Sequence, residues 1–137
     1  MSSVLITGGG GFQGSHLAES LISAGHSVSV LNTRSDSALK NLSAVADKIK
    51  FFWGSVADKN LVEKSVQGND VVFHMAAHIN VDESLKDPDV FFQVNVLGTH
   101  NVLESVRKHG SRLIFASSRE VYGDGRDLKE GEKLSES

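Results

Sequence analysis

The stretch Val4-Leu5-Ile6-Thr7-Gly8-Gly9-Gly10-Gly11-Phe12-Gln13-Gly14-Ser15-His16-Leu17 decides the reading of this chain. Residues 4–7 are short, apolar and stopped by glycine, as a buried strand would be. Residues 13–24 then carry Leu17, Leu21 and Ile22 on one helical face, and Gly25 supplies a C-terminal stop. The glycines at 8, 11 and 14 lie between strand and helix. Gly8 permits the tight turn, Gly11 lets backbone approach a pyrophosphate, and Gly14 lets the helix pack closely on the sheet. The amides of Phe12 and Gln13 are expected to face phosphates at a helix N-terminus, where the dipole favours negative charge. The alternative, a Gly-rich turn with no ligand, loses ground because strand and helix flank the motif as a phosphate loop requires.

Outward from this loop, apolar runs alternate with helical patterns. Residues 27–31, 49–53, 71–74 and 113–116 read as four further strands. Helices are expected over 39–45, over a short segment capped by Asp58 and carrying Leu61, Val62 and Val66, and over 88–109, where Pro88 sits in the first turn. Residues 79–86 are ambiguous, partly loop. The order βαβαβαβαβ implies a parallel sheet with helices on both faces. Right-handed crossovers make this an α/β, Rossmann-like, doubly wound fold with five strands. Residues 1–123 form the expected NAD(P)-binding domain, and residues 124–137 a polar loop or tail.

The 137 residues suit one domain, with 39% hydrophobic and 23% charged side chains. A net charge of −3 gives no nucleic-acid or lipid footprint, and the absence of cysteine excludes disulfides and thiolate sites. No stretch approaches a membrane span, and Met1-Ser2-Ser3 lacks the basic start of a signal peptide. A cytoplasmic protein without membrane or nucleic-acid partner is expected. The histidines show no metal spacing, so no metal is expected. His74, at a strand end, reads as a packed, hydrogen-bonded residue before it reads as a base.

At the end of the second strand, where an acidic residue usually grips a ribose, stands Asn32. Asparagine bonds a hydroxyl without repelling a 2′-phosphate, and Arg34 is placed to pair with one. The cofactor is therefore expected to be NAD or NADP, with a tilt toward NADP. Arg34 as a solvated loop charge is the competing reading.

Four motifs recur in order: Thr7-Gly8-x-x-Gly11-x-x-Gly14, His74-Met75-Ala76-Ala77, Asp87-Pro88 followed by Asn95-Val96-x-Gly98-Thr99, and Ser117-Ser118-Arg119-Glu120-Val121-Tyr122-Gly123. On these the chain resembles the extended short-chain dehydrogenases, in particular the NAD(P)-dependent nucleotide-sugar epimerases and dehydratases. The resemblance implies that Ser55 and Val56 touch the adenine ring, although an Asp is common at position 55. It implies that Met75, Ala76 and Ala77 line the cofactor and that Asn95 orders the site. Ser118 matches the catalytic Ser/Thr that bonds the substrate hydroxyl. Glu120 matches a glutamate that serves as base beside the keto carbon; a structural acid paired with Arg119 is its other reading. The implied substrate is a nucleoside-diphosphate sugar, and the implied assembly a homodimer through helix 88–109.

Two departures stand out. Arg119 occupies a position where dehydratases carry an acid or small polar residue, and arginine is a poor proton donor. That shifts weight from dehydration toward epimerisation or another keto-intermediate reaction. The family's Tyr-x-x-x-Lys pair does not occur before Ser137; the only tyrosine is Tyr122, and Arg126 stands where the lysine would. The chain is thus expected to be the N-terminal, cofactor-binding portion of such an enzyme, without its C-terminal substrate-binding part. A non-catalytic dinucleotide-binding module and a reductase of a non-sugar carbonyl remain as alternatives.

Overall fold

The computed structural model describes residues 1–118 and residue 121. Its strands are β1 (Ser3–Thr7), β2 (Ser27–Asn32), β3 (Ile49–Trp53), β4 (Val71–His74) and β5 (Arg112–Phe115). All pair in parallel, in the order β3-β2-β1-β4-β5. The helices are α1 (Phe12–Ser23), α2 (Asp36–Asn41), α3 (Lys59–Val66), α4 (Val81–Lys86), α5 (Pro88–Phe91) and α6 (Gly98–His109).

Because side chains alternate along a strand, β1 feeds two cores. Leu5 joins Leu31, Val62, Val72, Val102 and Val106 on the face covered by α3 and α6. Val4 and Ile6 join Ala18, Val28, Val30 and Leu42 on the face covered by α1. A strand buried on both faces has no polar side to show, which is why residues 4–6 read as a continuous apolar run. The chain order reverses direction at β1, which pairs with β2 on one side and β4 on the other. The gap between their carboxyl ends is the topological switch point, where open α/β sheets bind ligands.

Several elements depart from the sequence expectation. Helix α2 spans Asp36–Asn41 instead of 39–45, because the Ser35 hydroxyl accepts the Ala38 N–H (3.2 Å) and starts the helix early. The ambiguous stretch 79–86 contains α4, capped by the Asn80 side chain on the Glu83 N–H (3.3 Å). Strand β5 lies one residue earlier than 113–116. The expected helix 88–109 is right-handed throughout, but Phe92–Leu97 are wound as a π-helix between α5 and α6. The wider turn rotates the apolar stripe. Val94 packs on the core while Phe92, Val96, Leu97 and Leu103 are exposed.

Helix α3 starts as the sequence implies, with Asp58 accepting the N–H groups of Asn60 (3.0 Å) and Leu61 (3.1 Å). Asp58→Ala is expected to lower stability by about 1 kcal/mol in urea denaturation. An unchanged midpoint would show that solvent satisfies those amides equally well.

Candidate functional site

The glycine run forms the floor of the switch point. Gly8 leaves β1 in the left-handed region (φ 72°), and a Cβ there would lie 2.8 Å from the backbone of Ala76. Gly14 is needed for a different contact from the one expected. A Cβ on it would meet Gly8 O at 2.5 Å and Gly9 Cα at 2.7 Å, so helix α1 presses on the loop itself rather than on the sheet. Gly11 is unlike both. It adopts ordinary extended backbone (φ −74°), and a Cβ would touch only Gly8 O, at 3.3 Å. The space before it is open, as backbone approach by a diphosphate requires. The first α1 bond runs from Ser15 N–H to Gly11 O (3.0 Å), so the amides of Phe12 and Gln13 precede the helical ladder. Gly9 and Gly10, to which the sequence assigned no role, sit against Val30 and Ala38.

Two asparagines hold the loop by Gly10. Its N–H donates to Asn32 Oδ1 (3.1 Å) and its carbonyl accepts from Asn41 Nδ2 (3.0 Å). Asn32 also donates to the Thr33 carbonyl (2.8 Å), so the residue expected to grip a ribose is largely engaged with backbone. Asn41 was not anticipated; a lone asparagine near a helix end carries no distinguishing signal.

Above the loop lies a cavity of about 650 Å³, within the range of small-molecule sites. It brings together Gly8, Gly11, Phe12, Gln13 and Gly14 from the loop with Asn32, then Ser55 and Val56 after β3, and Met75, Ala76 and Ala77 after β4. Thr33, Ser35 and Ser37 also line it, a row of hydroxyls the sequence reading missed. Among the described residues, no Asp, Glu, Lys or Arg lines it. Arg34 is not part of the wall. Its guanidinium lies over Trp53 (5.9 Å to the ring centroid), and Trp53 stacks on Phe51. The favourable cation–π contact on an exposed strand edge explains that placement.

Asn95 stands behind the cavity. Its Oδ1 accepts the His78 N–H (2.8 Å) and its Nδ2 donates to the His78 carbonyl (2.9 Å). Asn101, unforeseen, does the same for the loop after β3 by donating to the carbonyls of Val56 (3.0 Å) and Ala57 (3.2 Å). Ser118 is exposed beyond the end of β5 and does not line the cavity. Glu120, with Arg119 and Tyr122, lies outside the described residues.

His74 is 1% exposed and hydrogen-bonded at both ring nitrogens. Nδ1 lies 2.6 Å from Thr7 Oγ1 and Nε2 lies 2.9 Å from Thr99 Oγ1. Thr7 Oγ1 already accepts the amides of Met75 and Ala76 (3.3 Å each), so its proton goes to Nδ1. Thr99 donates to the Asn95 carbonyl (2.7 Å), so Nε2 must carry the imidazole hydrogen. Burial pushes the His74 pKa down to about 4, keeping this tautomer neutral. Among the described residues no His, Asp or Glu cluster suits a metal, and no helix is long and apolar enough to cross a membrane.

Sheet order, glycine niche and switch-point cavity together define a Rossmann-like α/β domain. A family model described as GDP-mannose 4,6-dehydratase matches residues 5–135, and the chain belongs to that family. It is 39% identical over 121 residues to a UDP-N-acetyl-alpha-D-glucosaminuronate decarboxylase of Bacillus cytotoxicus. It is also 39% identical over 124 residues to a dTDP-glucose 4,6-dehydratase of Mycolicibacterium smegmatis. Each match covers 88% of this chain and 38% of the relative, so the chain spans well under half the length of these relatives. Among solved structures, a UDP-glucose 4-epimerase of Thermus thermophilus in complex with NAD matches with TM-score 0.77 and 37% identity, over 98% of this chain and 42% of the other. A dTDP-glucose 4,6-dehydratase of Streptomyces venezuelae with NAD bound matches with TM-score 0.83 and 31% identity, over 97% and 45%.

Proposed function

We propose that this chain is the dinucleotide-binding part of an NAD(P)-dependent nucleotide-sugar epimerase or dehydratase. The observation that carries the reading is the open niche before Gly11, set between two glycines, Gly8 and Gly14, whose Cβ atoms would strike backbone. A diphosphate fits there against the amides of Phe12 and Gln13, at the positive end of α1. Ser55 and Val56 take the adenine side, and Met75, Ala76 and Ala77 the side toward β4. When bound, the nicotinamide supplies reversible hydride transfer. The chain's own part is to seat the diphosphate, exclude bulk water and hold the substrate hydroxyl at Ser118. Glu120 takes the proton from the carbon that oxidation acidifies. The substrate is a nucleoside-diphosphate sugar, the compartment the cytoplasm, and neither nucleic acid nor membrane is a partner. Outward-facing Phe92, Val96 and Leu103 are the surface for a homodimer; sedimentation as a monomer at micromolar concentration would end that reading. Isothermal titration with NAD, NADP and nucleoside-diphosphate sugars tests the whole assignment. Failure to bind either dinucleotide would overturn it.

The ribose wall supports NADP over NAD. It offers hydroxyls and an amide donor without a carboxylate to repel a 2′-phosphate, and Arg34, two residues beyond Asn32, lies over Trp53. Leaving an exposed cation–π contact costs about 0.5–1 kcal/mol, and a charge-assisted bond to phosphate contributes about 1.5–3. NADP is expected to bind about tenfold more tightly than NAD, with Arg34→Ala erasing the difference. Trp53, the sole tryptophan, should change fluorescence with NADP more than with NAD as Arg34 leaves its face. Equal affinities in the unmodified protein would refute this.

A further inference from the structure

The cavity wall from Met75 to Ile79 has no regular secondary structure, yet it abuts the glycine loop at Gly8. It is pinned at two places by different elements. At one, the amides of Met75 and Ala76 donate to Thr7 Oγ1 on β1. At the other, both backbone groups of His78 bond the Asn95 carboxamide on the π-helical turn. The His74 imidazole joins these pins, accepting from Thr7 Oγ1 and donating to Thr99 Oγ1, which in turn donates to the Asn95 carbonyl.

We propose that His74 is a positioning residue: by bridging Thr7 and Thr99 it fixes the 75–79 wall against the glycine loop, and thereby seats the dinucleotide half that lies on the β4 side of the diphosphate. The proposal rests on the dinucleotide reading above. Direct chemistry is excluded for this residue, since it is buried and both ring nitrogens are engaged. Its position suits the indirect role. Wall and loop meet backbone to backbone at Gly8, where a Cβ would lie 2.8 Å from Ala76, so the seating of the 75–79 wall sets the shape of the site on that side. The Ser55–Val56 side is held independently, by Asn101.

The test compares ADP, which lacks the β4-side half, with NAD. His74→Asn keeps an acceptor near the Nδ1 position and loses the Nε2 donor; His74→Gln does the reverse. Thr99→Val cuts the far link without altering the strand, and covers the case in which a His74 variant fails to fold. Affinity for ADP should stay within about twofold, while NAD binding to Thr99→Val and to both His74 variants weakens about tenfold, as expected for a broken buried hydrogen bond. Amide hydrogen exchange at His78 should accelerate in the same variants although Asn95 is intact. An unchanged ratio of ADP to NAD affinities would overturn the proposal, whether both affinities hold or both fall together. Should the unmodified protein bind neither ligand, the dinucleotide reading fails instead, and unaltered exchange at His78 in Thr99→Val would then overturn the bridging role by itself.

Discussion

Gly11→Ser is expected to leave the protein as stable as before while weakening dinucleotide binding about a hundredfold or more. Serine is at least as good an N-cap as glycine, and the φ of −74° suits any residue. Its Cβ needs only a few tenths of an ångström from Gly8 O. The same Cβ and hydroxyl stand where the diphosphate would approach, and the hydroxyl competes for the first amides of α1. Losing one or two charge-assisted bonds of about 1.5–3 kcal/mol accounts for the factor. Gly14→Ala should behave differently. Its Cβ would fall 2.5 Å from Gly8 O and 2.7 Å from Gly9 Cα, a far closer approach to backbone than the 3.3 Å at Gly11, so the loop itself would have to shift. Stability should drop by about 3 kcal/mol, the upper range for overpacking, with binding lost in consequence. Denaturation and titration on the two variants separate niche from packing. Wild-type affinity in Gly11→Ser would mean that the diphosphate does not pass this residue, and the cavity assignment would fall with it.

Acidification from pH 7 to pH 4 is expected to remove about 3 kcal/mol of stability through His74 alone. The folded pKa, depressed by burial to about 4, lies below the unfolded value of about 6.5. Below pH 6.5 the unfolded chain therefore binds a proton that the folded one refuses. Stability contributed by neutral His74 is intact above pH 6.5, declines through the interval and is lost once the pH falls through 4. Protonation would also put a hydrogen on Nδ1 facing the Thr7 hydroxyl, whose lone pairs already serve two amides. The signature is a stability difference between wild type and His74→Gln that shrinks as pH falls across this window. A difference constant from pH 7 to pH 4 would show that His74 titrates as it does in the unfolded chain.

Much of this molecule was legible in its residues. Five strands and their parallel order followed from short apolar runs stopped by glycine and from helical patterns between them, because a strand buried on both faces admits no polar alternation. The Gly8, Gly11, Gly14 spacing located the cavity, since the space at Gly11 and Gly14 is a local property of the strand–turn–helix, whereas that at Gly8 is closed by Ala76 after β4. Local caps decide where the apolar pattern is weak: Ser35 and Asn80 start helices that the apolar pattern alone placed late or left as loop. The π-helical turn left no trace, because a stripe at helical spacing reads the same until the ladder widens.

What the sequence by itself determined is the backbone plan: which runs become strands, where the chain must turn with glycine, and that a side-chain-free niche follows the first strand. Only the tertiary structure decided which side chains serve that niche. Asn32 and Asn41 reach Gly10 from a distant segment of the chain, Arg34 goes to Trp53 rather than to the cavity, and His74 joins Thr7 to Thr99. Periodicity and turn chemistry act between neighbours along the chain, whereas a hydrogen bond between distant side chains exists only once packing has set their distance and excluded water from both.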